Sequence, residues 1–121
     1  MKKLIVDLDG TLTIDNKSKE YSEKEPNLQL IQKLSEYKNN GFYIIIFTAR
    51  NMNTYNGDLQ KIEKYTLPII KRWLLDHAVP YDEIIIGKPW CGFDGFYIDD
   101  KSIRPSEFIN NSYSEIKKII Q

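Results

Sequence analysis

Four short stretches of this chain set polar or charged side chains directly after apolar runs. "VDLDGT" (6–11) carries Asp7 and Asp9 with one residue between them, and "FTAR" (47–50) carries Thr48 and Arg50. "IGKP" (86–89) carries Lys88, and "YIDD" (97–100) carries Asp99 and Asp100. Residues two apart on an extended chain point the same way, so Asp7 and Asp9 share one side. Adding Asp99 or Asp100 would gather at least three carboxylates in one small space. Like charges about 4 Å apart repel by roughly 4 kcal/mol at an effective dielectric near 20. Such a cluster needs a cation, and an all-oxygen set suits Mg²⁺. Lys88, Arg50 and the Thr48 hydroxyl supply the donors a phosphate would take. One carboxylate could then attack phosphorus while its neighbour moves the proton.

These residues need a scaffold that brings distant strand ends together. Leu4 to Leu8, "FYIIIF" (42–47), "EIIIG" (83–87) and "GFYID" (95–99) read as four strands. Leu28, Ile31, Leu34 and Tyr37 fall at helical spacing within 27–40, with Gly41 as a stop, and Ile69, Ile70, Trp73, Leu74 and His77 form a second stripe after Pro68. Tyr113, Ile116, Ile119 and Ile120 suggest a closing helix. Alternating strands and helices predict an α/β fold with a mostly parallel sheet. In such a sheet, ligands bind beyond the carboxyl ends of the strands, where all four polar groups lie. No repeat or linker divides the chain, so one domain over 1–121 is expected. Segments 13–26 and 51–61 are long for loops and are candidate partial lids.

Seventeen basic residues balance seventeen acidic ones, so no overall field attracts nucleic acid or anionic lipid. The lone cysteine, Cys91, excludes an intramolecular disulfide and a multi-cysteine zinc site. The apolar run near Met1 is short and interrupted by Asp7 and Asp9, and no stretch approaches a membrane span. The expectation is a soluble cytoplasmic protein.

"DLDGT", the strand ending in Thr48, the lysine after the third strand and the late "DD" together resemble the four motifs of the haloacid dehalogenase superfamily of phosphohydrolases, over nearly the whole chain. The resemblance implies a Rossmann-like three-layer sandwich. It makes Asp7 the nucleophile and a metal ligand, and Asp9 the general acid/base with its backbone carbonyl on the metal. Thr48 and Lys88 would hold the phosphoryl group, with Arg50 and Gly10 in the same phosphate- and substrate-binding set. Asp99 would bind Mg²⁺, with Asp100 close by or acting through water. The reaction implied is phosphomonoester hydrolysis through an aspartyl-phosphate. The intervals from Asp9 to Thr48 and from Thr48 to Lys88 are too short for an inserted cap domain, and a capless site is compatible with a dimer or tetramer. "FTARNM", "WLLDHAVPYDEIIIGKPWCG" and "FYIDDKSIRPSEF" are further similar to small bacterial capsule-biosynthesis phosphatases. That similarity implies a phosphorylated precursor of surface polysaccharide, either a sugar phosphate or a phosphorylated group on a nucleotide sugar.

Each residue also has a plainer reading. Asp9-Gly10 alone is a common turn. Arg50 divides evenly between a substrate phosphate and an ion pair with Asp58 or Glu63, and Asp100 competes with a turn cap before Ser102. His77 continues an apolar stripe and is read as structural, Cys91 as packing, and Trp90 and Phe93 as core. A phospho-acceptor signalling domain shares the plan, but its paired acids come early and its phosphorylated aspartate follows the third strand. A non-catalytic binding protein is disfavoured because no motif residue is missing.

Overall fold

A computed structural model describes residues 1–121. The chain forms two compact units, Met1–Trp90 and Cys91–Gln121. In the first, β1 (Lys3–Val6), β2 (Tyr43–Thr48) and β3 (Glu83–Ile86) form a parallel sheet in the order β1-β2-β3. The register pairs Val6 with Ile46 and Thr48 with Ile86, which aligns the carboxyl ends of the strands. Ile44 and Ile46 are fully buried and Ile45 nearly so, so β2 is covered on both faces as its continuous apolar run requires.

The connections follow from their sequences. Asn27 caps α1 (Leu28–Asn39) by accepting the Leu30 N–H, and Leu30, Ile31, Leu34 and Tyr37 form the inward stripe. Leu28 belongs to the first turn and stays exposed; Leu30 takes the place expected of it. After β2 the chain turns through 51–57 into α2 (Leu59–Lys61), a wide turn at Ile62–Thr66, and α3 (Leu67–Asp76). Asp58 caps α2 by accepting from Gln60 N and Lys61 N. Pro68 sits in the first turn of α3, where its missing N–H costs nothing. Ile70, Trp73 and Leu74 are buried, while Ile69 is exposed. His77 ends the helix with its ring 4.5 Å from that of Trp73, a structural position. Neither interval holds an inserted domain, and no helix is long and apolar enough to cross a membrane.

The second unit corrects one expectation outright. Residues 95–99 form no strand, and Phe96, Tyr97 and Ile98 are exposed. Aromatic and β-branched composition makes a segment fit a pleated surface, but only a hydrogen-bonded partner makes it a strand. The unit's ordered elements are α4 (Pro105–Asn110) and α5 (Tyr113–Ile119), the latter closed by a Ser112–Glu115 capping box. Trp90 and Phe93 are also exposed, so neither is the core residue its aromatic character suggested.

Candidate active site

Asp7 is the first residue after β1, and the chain then coils through Leu8–Leu12. Leu8 and Leu12 are fully buried and anchor this turn, while Gly10 takes φ +80°, a conformation that disfavours any side chain. Its N–H donates to Thr13 Oγ1, so it serves the turn that presents Asp9. Asp7 and Asp9 therefore leave the strand end with different surroundings.

Asp7 is half-buried. Thr11 Oγ1 donates to its Oδ2 at 3.3 Å, and Lys88 Nζ lies 3.5 Å from Oδ1. Burial pushes its carboxyl above the usual range, against the opposing pull of Lys88 and the Leu8 N–H. Lys88 is placed by its own N–H, which donates to Thr48 O and extends the β2–β3 pairing past Ile86. Gly87 makes this possible: it has φ +85°, and a Cβ there would meet Leu59 Cδ2 at 2.8 Å.

Asp9 faces two other cations. Arg50 grips it with a fork, Nε to Oδ2 at 3.0 Å and Nη2 to Oδ1 at 2.8 Å. Lys24 Nζ adds an ion pair to Oδ1 at 3.5 Å. The Arg50 side chain is 1% exposed and that of Asp9 29%. Asp9 thus takes the place of Asp58 or Glu63 as the ion-pair partner of Arg50. The Arg50 N–H donates to the buried Thr48 Oγ1 in a local turn after β2, while Asp58 is occupied as a helix cap. Arg50 Nη1 is buried without a hydrogen-bond partner.

Tyr21 and Lys24 carry no periodic signal in the sequence. Both lie on the strap formed by 14–26, whose ends close through Ile14 N–H to Glu25 O at 2.8 Å and Asn27 N–H to Leu12 O at 2.8 Å. The Tyr21 ring covers Arg50 Cζ at 4.2 Å and Lys24 Nζ at 4.9 Å. Burial and the Asp9 charge raise the Tyr21 hydroxyl pKa, which keeps it neutral. The expected lid at 13–26 is thus a strap pinned over Asp9. In the 51–61 segment, Asn51 takes φ +62° and its Oδ1 accepts from Thr66 Oγ1 at 2.8 Å.

Asp7, Asp9, Thr48, Arg50 and Lys88 therefore meet at the strand ends of the first unit, where no third acidic, histidine or cysteine side chain joins the two aspartates. Asp99 and Asp100 lie in the second unit, both exposed, and Asp99 Oδ1 accepts from the Lys101 N–H at 2.8 Å. Cys91 is half-buried, with Sγ 3.7 Å from Gly92 O.

A family model described as haloacid dehalogenase-like hydrolase matches residues 4–71, more than half of the chain. The chain belongs to the haloacid dehalogenase-like hydrolases. The match takes in Asp7, Asp9, Thr48 and Arg50 and stops before Lys88, so Lys88 is tied to the site by geometry instead. Among solved structures, this hydrolase is similar to a target protein from Vibrio cholerae at 58% identity and TM-score 0.96, over 99% of this chain and 97% of that one. It also resembles the Pnkp1/Rnl/Hen1 complex at 22% identity and TM-score 0.52, over 91% of this chain and 34% of that one, a likeness of fold. A D,D-heptose 1,7-bisphosphate phosphatase from B. bronchiseptica complexed with magnesium and phosphate aligns at 20% identity and TM-score 0.49, over 79% and 54% of the two chains. No curated protein matches in sequence.

Proposed function

We propose that this hydrolase is an Mg²⁺-dependent phosphomonoesterase acting through an aspartyl-phosphate on Asp7. One observation carries the reading: two carboxylates two residues apart have separate partners, Asp7 with Lys88 and Thr11, Asp9 with Arg50 and Lys24. That separation supports separate work for the two. Asp7 attacks phosphorus and the ester P–O bond breaks, leaving the phosphoryl group on its carboxylate. Asp9 delivers a proton to the departing alkoxide, then takes one from the water that cleaves the acyl phosphate. Thr48 and Lys88 hold the transferring phosphoryl group.

The chemistry of Asp7 suits a hard cation. Asp7 offers a carboxylate whose ionised form burial disfavours and whose protein contacts, at 3.3 and 3.5 Å, are long. The Asp7 carboxylate and the Asp9 carbonyl would hold Mg²⁺, which would neutralise the charge of the reacting phosphate, and Asp99 and Asp100 are further ligands on the motif resemblance alone. The substrate reading is a small cytoplasmic phosphorylated precursor of capsular polysaccharide, supported by the motif similarity around Thr48, Lys88 and Asp99.

The test is phosphate release from a panel of phosphorylated sugars, nucleotide sugars and amino alcohols, with and without Mg²⁺. Turnover requires the metal and is lost in Asp7→Asn. Full turnover in that variant, purified free of host phosphatase, overturns the assignment.

A further inference from the structure

We propose that Lys24 and Tyr21 are positioning residues for Asp9, which hold its carboxylate in place together with Arg50. A lysine is among the residues least often buried, because its charge loses hydration. Yet Lys24 is 9% exposed, at the end of a polar strap where solvent was within reach. Its backbone is fixed as firmly: the buried Trp73 Nε1–H donates to Lys24 O at 2.8 Å, tying the strap to α3. Asn27 Nδ2 donates to Thr11 O at 3.3 Å, tying the strap's far end to the turn that carries Asp9.

The contacts hold the carboxylate from two directions. Arg50 grips both oxygens, Nη2 on Oδ1 and Nε on Oδ2, and Lys24 Nζ faces Oδ1 in an ion pair at 3.5 Å. Without Lys24, the fork alone holds the carboxylate and its orientation loosens. The Tyr21 ring lies over both cations and keeps the fork in place.

This inference rests on Asp9 being the acid/base, and the experiment separates the two. Proton donation matters for an alkyl phosphate, whose leaving group is a strong base, and little for p-nitrophenyl phosphate, whose leaving group departs as a stable anion. Single-turnover release of the alcohol is measured for both esters in wild type, Asp9→Asn, Lys24→Met, Lys24→Arg and Tyr21→Leu, with thermal melts for each. General acid–base groups contribute about 10²–10⁴-fold, so misplacing one lowers the alkyl-to-aryl rate ratio by about tenfold or more in Lys24→Met and Tyr21→Leu. Lys24→Arg restores most of the ratio. Tyr21 is partly exposed, so its variant reports even where Lys24→Met fails to fold. If Asp9→Asn leaves the ratio unchanged, the acid/base reading fails. If Asp9→Asn lowers it while Lys24→Met and Tyr21→Leu do not, the positioning inference is overturned.

Discussion

Replacing Arg50 by methionine removes the fork that holds Asp9 while keeping the length of the aliphatic stem. Removing one partner of a buried ion pair costs about 3–5 kcal/mol, because the other charge stays desolvated. Arg50 meets that condition at 1% exposure, but Asp9 is 29% exposed and keeps Lys24, so the cost falls to about 2–3 kcal/mol. For a chain of this length about 4 °C of Tm accompanies each kcal/mol, giving a drop of about 8–12 °C. The assay is thermal and urea unfolding followed by tryptophan fluorescence for Arg50→Met, Asp9→Ala and the double variant. Each single variant strands a charge and the double variant strands neither partner of the pair. The double variant therefore exceeds additivity in stability by about 2 kcal/mol. A Tm change under about 2 °C in Arg50→Met, with coupling inside the roughly 0.5 kcal/mol of simple additivity, would refute the buried pair as the organiser of Asp9.

Two further outcomes follow from contacts outside the carboxylates. Trp73→Phe leaves Lys24 O without its buried donor, costs about 1–3 kcal/mol in urea unfolding, and speeds amide exchange along 14–26; unchanged exchange there would show that the strap is held by other means. Asp82 has its pKa lowered by the Ile44 N–H and then by Lys38. A depressed carboxylate contributes stability that is fully present above its ordinary value of 3.8 and is lost as pH falls through the lower folded value. Asp82→Asn therefore flattens the fall of Tm on acidification below about pH 4, and an identical acid limb in both proteins would contradict this.

The legible part of this molecule is the part set by apolar runs. Leu4 to Val6, Tyr43 to Phe47 and Glu83 to Ile86 are short, branched or aromatic, and bounded by turn residues, so their ends, and with them Asp7, Thr48 and Lys88, can be located from the chain alone. Residues 95–99 share that composition and form no strand, because composition does not specify a pairing partner. Arg50 is legible as a residue but its partner Asp9 is not, because the fork joins residues far apart in the sequence. Tyr21 and Lys24 were invisible. Their strap has no periodicity, and their roles come from long-range ties to Leu12 and Trp73 that local sequence does not encode.

The most direct test concerns the covalent step on Asp7. Enzyme mixed with an excess of a turned-over phosphomonoester is quenched in acid within the first turnover, digested with protease, and its peptides are mapped by mass spectrometry. The account predicts a phosphoryl group on Asp7, within the peptide that also holds Asp9, and its absence in Asp7→Asn. A phosphoryl group on any other residue, or none on an enzyme shown to be turning over with that step made to accumulate, would contradict it.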